Sequence, residues 1–211
     1  MVSTNHDKIF AAAFANPDNL AIKQPDININ NIIRDHYTVI PQTFALTKSQ
    51  LWEMESRKAA APDKYIPTVV KAGSAEKFPS TYDEHYEYFT RIADHRCWKD
   101  PSKYVMVIEH VKMDNEQQVV TFIGAEEYVT PDGRHIVAGK DQPIFHVEHG
   151  VVGDDENQPL NSWRIVHLTK GQDDPEMREA FASMRKTKFL PEYVEIYIRE
   201  DLGVSLVRKE D

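Results

Sequence analysis

Five of the nine histidines fall between Lys103 and Gly171, and Ile144-Phe145-His146-Val147-Glu148-His149-Gly150 is the densest run of side chains able to do chemistry. An imidazole titrates near neutral pH, so it can take or give a proton, and a neighbouring carboxylate can orient it. His146 and Glu148 stand two residues apart. In a strand they share one face, about 7 Å apart. His146, Glu148 and His135 are therefore the candidate catalytic groups. His135, His146, Glu148 and His167 are also a candidate ligand set for a single Fe or Zn ion, because imidazole and carboxylate suit both metals. The bland reading of the same residues is a row of half-exposed strand side chains making cross-strand polar pairs. The cofactor expectation is accordingly none, or one Fe or Zn ion.

The elements that would position these groups are strands rich in Val, Ile, Phe and Tyr: 104–112, 119–129, 134–139, 144–152 and 163–169. Asp114-Asn115-Glu116 and Pro131-Asp132-Gly133 are turn sequences, and such short links predict an antiparallel meander. Folding at Asn115-Glu116 pairs Ile108 with Ile123 and His110 with Thr121, and folding at Asp132 pairs Val129 with His135. A turn around Asp141 pairs His135 with Glu148, and a last hairpin within Asp155 to Asn157 pairs His146 with His167. One face then shows His110, Glu127, His135, His146, Glu148 and His167 among Met106, Ile108, Ile123, Val137, Ile144, Trp163 and Ile165. The other face, with Val107, Phe122, Phe145 and Val147, reads as plain packing surface, and His149 and Arg164 fall on it. A mixed polar and aliphatic face suits a ligand pocket.

Helices are expected before and after the meander. Thr47 and Gln50 form a capping box for a helix over 47–60, with Leu51, Met54, Ala59 and Trp52 inward and Pro62 as its stop. Tyr82, Tyr86, Phe89 and Ile92 recur at spacings of three and four, which predicts a second helix over 81–94. Asp173-Asp174-Pro175-Glu176 is an acidic helix start, with Met177, Phe181 and Met184 inward. Residues 191–202 read as a last helix closed by Gly203. Residues 1–44 read as an arm or irregular extension, although His36 to Ile40 before Pro41 looks extended. The domain expectation is a single α+β domain over 45–203 and a loose tail over 204–211.

Composition limits the partners. A net charge of -9 over 211 residues, with no concentrated Lys and Arg, argues against nucleic acid and anionic membranes. No stretch approaches the roughly 18 apolar residues of a membrane span. The apolar patch Ile9 to Phe14 lacks the basic leader of a signal peptide. One cysteine, Cys97, excludes an internal disulfide, and a reducing, cytoplasmic location is expected. Gly-rich phosphate loops, Gly-x-Ser-x-Gly and His-Glu-x-x-His are absent from the sequence. Cys97 beside His95 is a weaker nucleophile candidate than a buried structural thiol.

Helices followed by an antiparallel meander that ends in Trp163-Arg164-Ile165-Val166-His167 resemble the nuclear-transport-factor-like α+β cone superfamily over residues 45–172. The resemblance implies helices packed on a curved antiparallel sheet of about five to six strands, with a substrate cavity between them. It also covers isomerases, dehydratases and polyketide cyclases, and the small subunits of ring-hydroxylating dioxygenases. A helix-grip fold and a cupin barrel are the alternatives. The functional expectation is a lyase, isomerase or cyclase with a His/Glu acid–base pocket bounded by helices 47–60 and 81–94. Its substrate is expected to be an organic, partly apolar small molecule. His110, His167, Tyr86 and Trp163 would line the pocket. The runner-up is a non-catalytic or metal-holding subunit of a multi-component oxygenase. Either a homo-oligomer or a subunit of a hetero-oligomer is expected.

Overall fold

The structure, a computed structural model, describes residues 5–183 and 188–210. Among those residues, its framework is an open, curved antiparallel sheet of nine strands. Along the sheet run β1 (Leu20–Lys23), β12 (Leu160–His167), β11 (Phe145–Val152), β8 (Val119–Ala125), β7 (Tyr104–Asp114), β6 (Tyr86–Arg96) and β4 (Glu76–Lys77). β2 (Ile27–Asn28) pairs beside β1 on β12, and β5 (Thr81–Asp83) pairs on β6. The sheet is not a closed barrel, so the cupin alternative does not describe it.

Helices cover both faces. On one, Phe10 of α1 (His6–Ala15) packs with Ile123 and Val166. On the other, Ala59 of α3 (Lys48–Ala60) meets Phe89, Val111 and Phe122. Met177 and Phe181 of α5 (Pro175–Ser183) meet Ile165 there as well. Leu51 and Met54 of α3 share a further core with Ile29 and Ile33 of α2 (Ile29–His36), and with Val194 and Ile198. Val194 belongs to α6 (Glu192–Ile196), which continues as one π-helical turn, Tyr197–Asp201, before Gly203 at φ +66°. A short helix, α4 (Pro62–Tyr65), opens at Pro62 directly after α3.

The capping box at Thr47 and Gln50 forms as expected. Met177 and Phe181 are buried as expected, while Met184 lies outside the described residues.

The helix expected over 81–94 is instead the β5–β6 hairpin. β6 is buried on both faces: Phe89, Arg91 and Ala93 point one way, and Tyr88, Thr90 and Ile92 the other. A strand buried on both sides loses its two-residue alternation, and its apolar residues then fall into a helical spacing by coincidence. Tyr82, at 73% exposed, was never part of a buried stripe.

The meander is also interrupted. β9 (Glu127–Val129) and β10 (His135–Val137) form a separate two-stranded ribbon, and β8 pairs directly with β11. Tyr128 and Ile136 of the ribbon pack against Phe78, Ile92 and Ile108.

Residues read as an irregular arm supply β1, β2, α1 and α2. The segment read as a loose tail forms β13 (Ser205–Arg208) on β3 (Tyr37–Ile40), with Arg208 Nε donating to Glu195 at 2.8 Å. No helix among the described residues is long and apolar enough to cross a membrane.

Candidate functional site

Strand register decides which of the candidate residues meet. Val129 opposes His135 as expected. β7 and β8 pair His110 with Ile123, a two-residue shift from the expected pairing of Ile108 with Ile123, and a shift of two preserves the face. Between β11 and β12 the shift is one: His146 opposes Val166, and Phe145 opposes His167. That single step turns Trp163, Ile165 and His167 to the opposite face from His146 and Glu148. β10 makes no ladder with β11, so His135 never reaches Glu148.

His146, Glu148 and His110 therefore share the face covered by α1. The Nδ1 of His146 accepts the backbone N–H of Gly124 at 3.1 Å. Glu148 accepts from Arg164 Nε at 2.8 Å, and that guanidinium lies over the rings of Phe10 and Phe14. His110 Nδ1 sits 2.9 Å from Thr90 Oγ1. Tyr86, on the same face, lies under the Lys112 ammonium. His135 pairs with Glu127 at 2.9 Å on the exposed ribbon. His167 is on the other face against Phe145, with Asp174 3.9 Å from its Nδ1. The proposed ligands His135, His146, Glu148 and His167 do not converge. Among the described residues no group of three His, Cys, Asp or Glu is arranged to hold a metal ion.

The cavity lies on the face that reads as plain packing surface in the sequence. It measures about 770 Å³ and is walled by Phe122, Val147, Trp163 and Ile165 of the sheet. Lys58 of α3, the segment 24–32 and Tyr193 enclose it from the other side. Of the residues expected to line a pocket, Trp163 does so. The helix over residues 48–60 bounds this cavity through Lys58, and residues 81–94 bound it as a strand that contributes Arg91.

His149 stands on this wall at the head of a buried polar array. Its Nδ1 is 2.8 Å from Lys58 Nζ and 3.6 Å from Glu55 Oε1. Lys58 Nζ is 2.5 Å from Glu55 Oε2 and 3.8 Å from the centre of the Tyr193 ring. Asn161 Nδ2 donates to Glu55 Oε1 at 2.9 Å, and Tyr193 OH donates to Asn161 Oδ1 at 2.8 Å. A second buried pair adjoins it. Arg91 Nε donates to Glu109 Oε2 at 2.7 Å, and Arg91 Nη1 donates to the carbonyl oxygens of Lys58 and Ala59 at 3.1 and 2.8 Å.

Burial and mutual charge set the protonation states. Burial opposes the charge on Glu55, but the Lys58 ammonium beside it, with His149, prevails and holds its carboxyl at about 2. Burial, reinforced by the Lys58 charge, pushes His149 down to about 4, so the ring is neutral at pH 7. Burial also lowers Lys58 against the opposing pull of Glu55, and raises the Tyr193 phenol. His95, on the same cavity, is pushed down to about 4 by burial.

Glu55, Lys58, Asn161 and Tyr193 were not singled out in the sequence, yet one signal was present. Leu51, Met54, Glu55, Lys58 and Ala59 make one stripe at helical spacing, so two opposite charges occupy core positions of α3. Charges in a buried stripe must be paired, and they mark a buried polar site.

No protein-family profile and no curated protein sequence matches the chain. Solved structures share its fold. An aromatase/cyclase, Zhui, from a Streptomyces species is 11% identical, with a TM-score of 0.50 over 86% of this chain and 95% of that one. Dicamba monooxygenase bound to 3,6-dichlorosalicylic acid is 9% identical, with a TM-score of 0.54 over 90% of this chain and 52% of that one. The chain thus spans about half of the monooxygenase. The likeness is one of fold, and it agrees with the α+β cone architecture expected from the order of elements.

Proposed function

We propose that the chain binds an organic, largely apolar small molecule in the 770 Å³ cavity and acts on it as a lyase, isomerase or cyclase. The His/Glu pair that serves this chemistry is His149 with Glu55 rather than His146 with Glu148. One observation carries the reading: a neutral imidazole, braced by a buried ion pair, stands on the wall of a largely apolar cavity of ligand size. His149 is the group that would donate a hydrogen bond to a reacting carbonyl oxygen and stabilise the enolate left when water removes the adjacent proton.

The fold likeness to an aromatase/cyclase and to a ligand-bound monooxygenase supports a small-molecule role, without specifying the reaction. Assembly into an oligomer remains part of the proposal.

The test is a panel of apolar ketones and enones incubated with the protein in D₂O, with deuterium uptake beside the carbonyl followed by NMR. Wild type should catalyse exchange or conversion of at least one compound, and His149→Ala should lose it while staying folded. Equal turnover by His149→Ala would overturn the assignment.

A further inference from the structure

We propose that Lys58 is a positioning residue that locks His149 in the tautomer carrying its proton on Nε2, so that the cavity receives an uncharged ligand presenting an acceptor oxygen to that N–H. The inference deepens the proposed function and rests on it for the ligand, though not for the tautomer.

An ammonium group has three donors and no acceptor. Three groups surround Lys58 Nζ, Glu55 as its ion-pair partner, His149 as its hydrogen-bond partner and the Tyr193 ring. Glu55 Oε2 lies at 2.5 Å, His149 Nδ1 at 2.8 Å, and the π face of Tyr193 at 3.8 Å. A ring nitrogen that accepts from an ammonium must offer its lone pair. A neutral imidazole then holds its one proton on the other nitrogen. Trp163, Phe122 and Tyr193 pack edge-on around the His149 ring and fix its plane. The charged and titratable groups facing it are Lys58, Glu55, Arg91, Glu109 and Tyr193.

Charge balance sets the ligand class. Lys58 and Arg91 are the cations on the cavity wall among the described residues, and each is matched to a carboxylate, Glu55 and Glu109, at 2.5 and 2.7 Å. Both carboxylates are buried. Neither cation is left over for a ligand carboxylate or phosphate, and a desolvated anion without a partner is costly. A ketone, enone, lactone or quinone oxygen needs only the Nε2–H donor.

Two measurements decide it. The long-range ¹H–¹⁵N spectrum of histidine-labelled protein at pH 7, with His149 identified by its loss in His149→Gln, should show the neutral Nε2–H pattern. In Glu55→Gln/Lys58→Met, which removes both charges of the pair, the lock should relax to a mixture of tautomers. A wild-type ring protonated on Nδ1, or on both nitrogens, overturns the lock, as does an unchanged pattern in the double variant. The second measurement compares 2-acetylnaphthalene with 2-naphthoate, which share an apolar body, by fluorescence titration. The ketone should bind at least roughly tenfold tighter, about the worth of one hydrogen bond, and His149→Ala should erase most of that advantage. Equal or tighter binding of naphthoate overturns the ligand class. If neither binds, the proposed function fails and the ligand class with it, and the tautomer is still decided by the spectrum.

Discussion

Removing the Lys58 ammonium should be among the most damaging single changes available in α3. Glu55 is 0% and Lys58 4% exposed, and their contact is 2.5 Å. In Lys58→Met the carboxylate keeps Asn161 but loses its counter-charge in a site closed to water. Leaving one member of a buried pair uncompensated costs about 3–5 kcal/mol. For a chain of this size each kcal/mol is worth about 2–4 °C, so the midpoint should fall by roughly 6–20 °C. Glu55→Gln should also destabilise, since it strands the ammonium. The double variant Glu55→Gln/Lys58→Met leaves no charge behind, so its cost should fall short of the sum of the single costs by about 1–3 kcal/mol. Urea unfolding of the four proteins, with equal slopes as the check on comparable unfolding, measures all of this. If Lys58→Met lies within about 1 kcal/mol of wild type, or the costs add within about 0.5 kcal/mol, the buried array is not coupled as described.

Acid should weaken the fold through His149. Burial holds the folded ring at about 4 against 6.5 for a free imidazole. Between those values the unfolded chain binds a proton that the native ring refuses. Stability is therefore full above pH 6.5 and declines as pH falls, by up to about 3 kcal/mol near pH 4 from this group alone. His149→Gln should flatten that part of the stability–pH curve, and an unchanged slope would contradict the burial argument. Gly124→Ala should cost at least about 2 kcal/mol in urea, because a Cβ there would run into the backbone carbonyl of Phe145 on the adjoining strand. Thr47→Ala should lose about 1 kcal/mol by removing the cap, and thermal melts would show it. His146→Ala should cost stability through the lost Gly124 hydrogen bond but leave ligand affinity within about twofold, in contrast to His149→Ala.

Element types were legible wherever a local signal existed: the Thr47 cap, the Pro175 helix start, and the β-branched runs of β7, β8, β11 and β12. The hairpin at Tyr86 was not, because burial on both faces erased its alternation. Residues 20–28 are short, edge-on strands whose partner, β12, lies more than 130 residues away, and no local pattern announces such pairing. The site failed on one residue of register. The β11–β12 connection places Val152 opposite Leu160, one step from the assumed turn, and the histidines divide between two faces. By strand alternation His149 falls on the packing surface, which is the surface that encloses the cavity. The charges at Glu55 and Lys58 were visible in α3, and weighing them as core positions would have pointed to that side.

The most direct test of the account is to fill the cavity and leave the other sheet face intact. Binding of 2-acetylnaphthalene would be measured for wild type, His146→Ala and Val147→Trp, with circular dichroism confirming that each is folded. Val147 lines the cavity, and His146, its neighbour, points to α1. Wild type and His146→Ala should bind alike, and Val147→Trp should lose binding. Loss in His146→Ala with retention in Val147→Trp would place the site on the α1 face and contradict the account.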